Sequence, residues 1–212
     1  MPIYQLDQNL WFPSAHDVGD SDIVAIGGDV SVKRILLAYS QGIFPWYNED
    51  EPIIWWNPMQ RMVLQPHEVK VSKSSRNLLN RKNFEIRHNT CFEEVIRRCK
   101  TVKRHGQDGT WLNDDLIATF VELHRLGYAY SVEYFEDNIL KGGLYGLRVN
   151  HIFCGESMFS ETSNASKICF IHLCRKMESE GVKLIDCQVH NHYLEQLGAY
   201  EIPREEFLTF LK

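Results

Sequence analysis

The chain has 212 residues, a mass of 24.8 kDa, 44% hydrophobic and 24% charged residues, and a net charge of −5. This composition supplies one or two packed cores and excludes disordered and fibrous classes. No apolar run approaches the ~18–20 residues of a membrane span, and MPIYQLDQNLWFPSAHD lacks a basic start followed by an apolar stretch; a cytoplasmic protein with no membrane partner is expected.

Residues 1–62, rich in Gly, Pro, Asp and Trp, predict a small α+β unit. Ser31 can cap a helix whose apolar face is Ile35, Leu36, Leu37 and Tyr39, with Gly42 as its stop. The segment GIFPWYNEDEPIIWWNP follows, with Trp46, Trp55 and Trp56 among prolines 45, 52 and 58. It predicts a shaped loop with aromatic walls rather than a long helix or a central strand.

Residues 63–212 alternate between strand and helix periods. Strands are predicted at 69–71, 84–88, 129–135, 139–147, 151–158 and 183–189. Helices are predicted at 73–82, at 91–102 behind a Thr90–Glu93 capping box, and at 114–126 behind Asn113. Two more are predicted at 165–180 behind Asn164, and at 191–197. Short polar turns at 136–138 and 149–150 make the strands between them an antiparallel meander. The helix over 165–180, apolar nearly all round in ICFIHLC, is expected to be buried and to cross over to the strand at 183–189. The domain is therefore read as α+β, a mixed sheet flanked by helices.

Charge is unevenly spread: residues 70–104 carry +8 between flanks of −6 and −7. Arg76, Arg81, Lys82, Arg97, Arg98 and Lys100 form a candidate polyanion footprint within this run, although a solvated face fits the pattern equally well. The six cysteines form no CxxC pair and predict reduced thiols, neither a disulfide frame nor a zinc site.

Three clusters could carry chemistry. In Gly155-Glu156-Ser157-Met158-Phe159-Ser160 a carboxylate follows an apolar strand and would be half-desolvated; a surface glutamate in a turn fits the spacing equally well. In Leu184-Ile185-Asp186-Cys187-Gln188, strand alternation puts Asp186 and Gln188 on one face. Carboxylate to amide NH₂ would leave the amide oxygen free to orient an amine; a buried polar pair tying the sheet to a loop is an equal alternative. Third, Trp46, Trp55, Trp56 and Trp111 beside a basic run are what base stacking needs, though aromatic clusters are more often core. Gly27-Gly28 and Gly142-Gly143 lack phosphate-loop spacing, and His190-Asn191-His192 offers no third ligand at metal spacing.

The strings AIGGDVSVKRILLAYSQGIFPW (25–46), IIWWNP (53–58), GTW (109–111), GGLYG (142–146), FCGESMFS (153–160), NASK (164–167), LIDCQ (184–188) and LGAYEIPREEF (197–207) carry a resemblance. In order and spacing, from about Trp11 to Leu211, the chain resembles the leucyl/phenylalanyl-tRNA–protein transferases. That resemblance implies an enzyme that moves Leu or Phe from charged tRNA to the N-terminal α-amine of proteins beginning with Lys or Arg, marking them for degradation. It implies a GNAT-like catalytic domain over 63–212 behind a small domain over 1–62. Asp186, Gln188 and Glu156 would be catalytic: Glu156 would meet the substrate's amino group, and Asp186 with Gln188 would orient the attacking amine. Trp46 and Trp111 would hold the terminal adenosine of the tRNA, with Tyr39, Asn191 and Ser160 in the same site. Phe153 and Met158, with Leu144, Leu173 and Met177, would wall the side-chain pocket, through which Met should pass less well than Leu or Phe.

An aminoacyl ester is already activated, so the reaction asks for a positioned, neutral amine and a stabilised oxyanion. Neither a cofactor nor a metal is implied, and a monomer is expected. Whether Asp186 removes a proton or only holds Gln188 stays open. Two other classes share parts of this pattern. A coenzyme A-dependent GNAT acetyltransferase would need a Gly-rich pyrophosphate loop after the strand at 151–158, where SETSNASK has no glycine. A non-catalytic tRNA-binding module would keep the basic run and the tryptophans without needing Glu156, Asp186 and Gln188 together.

Overall fold

The computed structural model describes residues 3–48, 50–81, 83–102 and 112–212. The N-terminal part builds a four-stranded sheet from β1 (Tyr4–Leu6), β2 (Ile23–Gly27), β3 (Phe44–Pro45) and β4 (Ile54–Trp56). Its order is β1-β2-β4-β3, parallel only between β1 and β2. The tryptophan-rich stretch is therefore not all loop, because β4 lies inside this sheet. Pro52 and Pro58 fall outside it and Pro45 sits on the edge strand, so no ladder bond is lost to a proline in the middle. Trp55 is fully buried and donates its indole N–H to the Gly27 carbonyl at 2.9 Å. Helices α1 (Ala15–Val18) and α2 (Val32–Ser40) accompany the sheet. As expected, Ser31 Oγ caps α2, accepting from Arg34 N–H, and Ile35, Ala38 and Tyr39 face the core.

The larger sheet has seven strands: β5 (Gln60–Leu64), β6 (Glu85–His88), β7 (Ala129–Glu136), β8 (Ile139–Val149), β9 (Ile152–Ser160), β10 (Leu184–Gln188) and β11 (Tyr200–Pro203). Their order is β11-β5-β10-β9-β8-β7-β6. Helices α3 (Lys73–Leu79), α4 (Phe92–Thr101), α5 (Asp114–Arg125), α6 (Ala165–Ser179), α7 (His192–Gln196) and α8 (Arg204–Thr209) accompany it among the described residues. The meander β7-β8-β9 forms as predicted, with Asp137, Asn138 and Asn150 in the left-handed turn conformation that Asx residues tolerate. Beyond it α6 carries the chain across, so β10 pairs with β9 in parallel, the one parallel ladder of this sheet. One face is covered by α6 and the other by α2, α4 and α5, so β8, β9 and β10 are apolar on both sides.

Two local expectations fail for identifiable reasons. Residues 69–71 form no strand; they leave a 3₁₀ turn at Pro66–Glu68 and run irregularly to Ser72, which caps α3. The Thr90–Glu93 capping box does not form, because Thr90 Oγ1 donates instead to Glu133 at 3.0 Å. Glu133 is a fully buried carboxylate that also draws the Ser131 hydroxyl, and an unmet charge there would cost more than an uncapped helix. After the small sheet, whose strands end at Trp56, the chain enters β5, whose Met62, Val63 and Leu64 are fully buried.

Two irregularities bend the central strands. In β9, Tyr145 pairs with Ser157 and Gly146 with Gly155, leaving Glu156 as an extra residue. In β10, Asp186 pairs with Val63 and Gln188 with Met62, leaving Cys187 extra. Each is a β-bulge, which bends its strand and re-aims its side chains. Gly146 lies opposite the first, and a Cβ there would meet the Phe153 ring at 2.6 Å and the Cys154 carbonyl more closely still. Gly146→Ala should therefore cost about 1–3 kcal/mol through overpacking against backbone, read as a lower urea midpoint at unchanged m-value.

Candidate active site

The β9–β10 ladder ends at the pair Cys154 and Asp186, where both strands bulge. Past that point lies a cleft of about 960 Å³. Gly155 to Met158 line it from β9, and Ile185, Cys187 and Gln188 from β10. Phe44, Pro45 and Trp46 close it from the small sheet, Ser166, Phe170 and Leu173 from α6, and Asn191, Tyr193 and Leu194 from the segment of α7.

Glu156 Oε1 is the meeting point. It accepts from Tyr39 Oη at 2.8 Å and from Gln188 Nε2 at 3.2 Å. Burial pushes the Glu156 carboxyl up to about 8; the Tyr39 hydrogen bond opposes that shift, the nearby Asp186 charge adds to it, and Gln188 and Arg61 pull back. Burial and the Glu156 charge push the Tyr39 phenol well up, so it remains a donor through neutral pH. Tyr39 comes from α2, so the small sheet's helix supplies part of the site.

Asp186 does not line the cleft, and the expected carboxylate-to-amide bond between Asp186 and Gln188 is absent. The bulge breaks the alternation that would put both residues on one face: Gln188 takes φ +67° and turns its amide to Glu156. Asp186 instead accepts from the Gln188 backbone N–H at 2.9 Å and from Arg61 Nε and Nη2 at 2.7 and 2.6 Å. Both members of this pair are essentially solvent-free. The two guanidinium donors engage both carboxylate oxygens, so the side chain is committed to Arg61 rather than to the cleft. Arg61 did not emerge from the sequence; the available signal is one cation inside the otherwise apolar run RMVL.

Leu144, Met158 and Leu173 reach the cleft as expected, whereas Phe153 and Met177 do not. Phe153 precedes the bulge and points to the α6 face, fully buried edge-to-face with Tyr130; Met177 lies three turns along α6, in the core. Phe170 and Tyr193 take their places. Phe170 was legible, being three residues before Leu173 on one helix face. Trp46 lines the cleft, packed on Trp56 with ring centroids 5.7 Å apart. Trp56 also donates its indole N–H to the Trp46 carbonyl at 2.7 Å. The Asn191 side chain caps α7, accepting from Tyr193 and Leu194 N–H. Ser160 is exposed at the end of β9 and accepts from Ser166 N–H at 2.8 Å, so Ser166 rather than Ser160 faces the cleft. Trp111 and Lys82 lie outside the described residues.

Of the basic run, Arg97 pairs with Glu93, Arg98 with Glu94 and Glu161, and Lys100 with Asp114, all at the surface. A shallow groove over Glu93, Glu94, Arg97, Arg98 and Thr101 marks that face of α4. Arg76 and Arg81 are exposed on and after α3. His190 and His192 both approach Glu195, at 3.6 and 3.0 Å, and among the described residues no three His, Cys, Asp or Glu side chains converge at metal-binding distance.

Burial pushes the Cys187 thiol well above its ordinary range, so it presents no thiolate for covalent catalysis. What remains is an apolar cleft with a carboxyl, an amide and a phenol converging on one point, suited to direct transfer of an activated acyl group to an amine. The mixed sheet and this cleft define an acyltransferase. Residues 63–212 match the family described as leucyl/phenylalanyl-tRNA protein transferase, and residues 28–59 match its N-terminal domain; the chain belongs to this family and is an aminoacyltransferase. The leucyl/phenylalanyl-tRNA–protein transferase of Flavobacterium johnsoniae is 50% identical over 210 residues, 99% of each chain. That of Syntrophobacter fumaroxidans is 45% identical over 100% of this chain and 90% of its own. Among solved structures, FemX shares the fold at a TM-score of 0.52 and 10% identity, over 81% of this chain and 66% of its own. No helix among the described residues is long and apolar enough to cross a membrane.

The Glu156 carboxyl makes a prediction about pH. Folded, it takes its proton near 8, against 4.5 for an ordinary glutamate. Its contribution to stability is thus complete below about 4.5 and is lost as pH rises through about 8. Glu156→Gln, uncharged throughout, should gain stability relative to the parent between pH of about 5 and about 9. Urea midpoints of the two proteins across that range give the difference directly; a constant difference would mean an ordinary carboxylate.

Proposed function

We propose that this chain transfers Leu or Phe from aminoacyl-tRNA to the N-terminal α-amine of proteins beginning with Lys or Arg, marking them for degradation, and that it does so as a cytoplasmic monomer. In this reading residues 63–212 form the catalytic domain and residues 1–62 the small domain that closes the site. The observation that carries the reading is Glu156, held between Tyr39 and Gln188 on the wall of an apolar cleft.

Glu156 faces the α-amino group of the esterified amino acid, for which a carboxyl poised near neutrality is a matched acceptor. The side chain of that amino acid enters between Leu144, Met158, Phe170 and Leu173. Trp46 stacks on the terminal adenine, Trp111 is the expected second aromatic wall, and Asn191 borders the same space. Gln188 spends its NH₂ on Glu156, which leaves Oε1 to accept from the incoming α-amine and point its lone pair at the ester. The amine nitrogen bonds to the ester carbonyl carbon, the bond from that carbon to the ribose oxygen breaks, and the proton shed by the amine ends on that oxygen. Asp186 lies outside the cleft with both oxygens on Arg61, and its part is to fix Gln188 through the backbone. A coenzyme A-dependent reading lacks support, since SETSNASK after β9 supplies no glycine loop for a pyrophosphate.

The test is transfer of radiolabelled Leu from charged tRNA to peptides that begin with Arg, Lys or Ala. Arg and Lys acceptors should be modified and Ala acceptors should not; no transfer to any would overturn the reading. In competition, Leu should exceed Val by about tenfold or more, as a methylene in an apolar pocket is worth about 1–3 kcal/mol, and Met should pass. Leu173→Phe should lower Phe transfer more than Leu transfer, because added ring volume shortens the cleft.

The basic run binds the tRNA backbone in this reading. Since Arg97, Arg98 and Lys100 already have carboxylate partners, reversing Arg76 or Arg81 should flatten the salt dependence of tRNA binding more than reversing Arg97. Removing one duplex phosphate contact should reduce the log–log slope by about 0.9. An unchanged slope in all of these variants would place the footprint elsewhere.

A further inference from the structure

Arg61 occupies an unusual position for a cation. It lies on β5 with 1% of its surface exposed, and its guanidinium is sandwiched between the Phe44 and Phe207 rings, 4.7 and 4.5 Å from their centroids. Nη1 donates to the Gly42 carbonyl at 3.0 Å, and Nε and Nη2 engage Asp186 in a fork. Asp186 Oδ1 accepts at once from Arg61 Nε and from the Gln188 backbone N–H. Gln188 holds φ +67°, a left-handed conformation that a side chain with a Cβ keeps only when its surroundings impose it. Asp186 imposes it here, and can do so only while its own carboxylate is prevented from rotating. A planar fork prevents that rotation, whereas a lysine's single point charge would not.

We infer that Arg61 is a positioning residue of the transfer reaction, which acts through Asp186 to hold Gln188 in its bulge and aim the amide at Glu156. Its two aromatic lids extend that control. Phe44 leads directly into Pro45 and Trp46, which wall the cleft, and Phe207 belongs to α8, so one guanidinium registers the small sheet, the C-terminal helix and the reacting strand together. Arg204 offers the contrast. It too is buried, but among the described residues it donates to the carbonyls of Gly19, Ser21 and Asn57, none of which borders the cleft.

The inference rests on the acyl-transfer reading of the cleft, and the test separates the two. Single-turnover transfer of Leu from leucyl-tRNA to an Arg-initiated peptide is measured with the full chain, beside thermal melts, for Arg61→Lys and Arg204→Lys. Arg61→Lys should lose about tenfold or more in rate constant per folded molecule, with KM for leucyl-tRNA nearly unchanged, as expected of a misplaced reacting group. Arg204→Lys should melt earlier while its rate constant per folded molecule stays the same. Equal losses in both, or a loss that follows the folded fraction, would overturn the inference. Adding Arg61→Lys to Gln188→Ala should cost nothing further, because both act on one amide; additive losses would overturn it too. Should Arg61→Lys not fold, Phe207→Leu trims one lid while keeping the ion pair: a lower rate at unchanged KM supports the inference, and an unchanged rate sinks it. A parent chain that transfers no leucine would count against the proposed function instead. The inference is then decided by hydrogen exchange at the Gln188 amide, which should lose protection in Arg61→Lys and keep it in Arg204→Lys.

Discussion

The parallel pairing of β9 with β10 stops at Cys154 and Asp186, and on each strand an extra residue follows within two positions. Had either strand continued in register, the sheet would have stayed closed, with apolar side chains on both faces and no room for a ligand. One bulge brings Glu156 round to face Tyr39; the other turns Gln188 toward the same oxygen. Every other part of the site is arranged around that interruption. The small sheet brings Trp46 over the opening, α6 lays Phe170 and Leu173 along its floor, and Gly146 leaves the space into which the bulged strand leans.

Polar groups in this molecule are buried where two layers meet. Arg34, Arg61 and Arg204 are each at most 5% exposed. Arg34 gathers the carbonyls of Asp7 and Asn9 and the Asp29 carboxylate, and Arg204 ties the C-terminal helix to Gly19, Ser21 and Asn57. A buried guanidinium carries a large desolvation penalty and is weak evidence for stability in itself. Its multiple donors do specify one relative placement of the segments it joins, which apolar contact alone leaves looser. Among the three, only Arg61 reaches a residue of the reacting strand.

Periodic features were legible in the sequence. The helices behind Ser31, Asn113 and Asn164, the turns at Asp137-Asn138 and Asn150, and the crossover from β9 to β10 all follow from local composition and repeat length. Glu156, Gln188 and Trp46 were legible because a carboxylate, an amide and an aromatic stand out where they are. What escaped depends on partners distant in the chain. Thr90 abandons its capping box for Glu133, 43 residues away. β5, only five residues long, is defined by the two strands that enclose it. The parting of Asp186 and Gln188 was not legible because strand alternation assumes an unbroken register, and the extra residue between them, Cys187, re-aims Gln188.

That placement of β5 has a consequence for how the chain becomes a folded molecule. Its neighbours on either side, β10 and β11, are synthesised more than a hundred residues later, and Arg61 meets Asp186 across a separation of 125 positions. A ribosome would therefore extrude the small sheet, the meander and α6 while an inner strand of the large sheet still lacked both partners. Such long-range pairing is slow and leaves an apolar edge open meanwhile. β11 and α8 emerge after every residue of the cleft, and they are also the segments that flank β5 and cover Arg61, so a nascent chain stalled ahead of them carries the whole cleft lining and none of the clamp's outer lid.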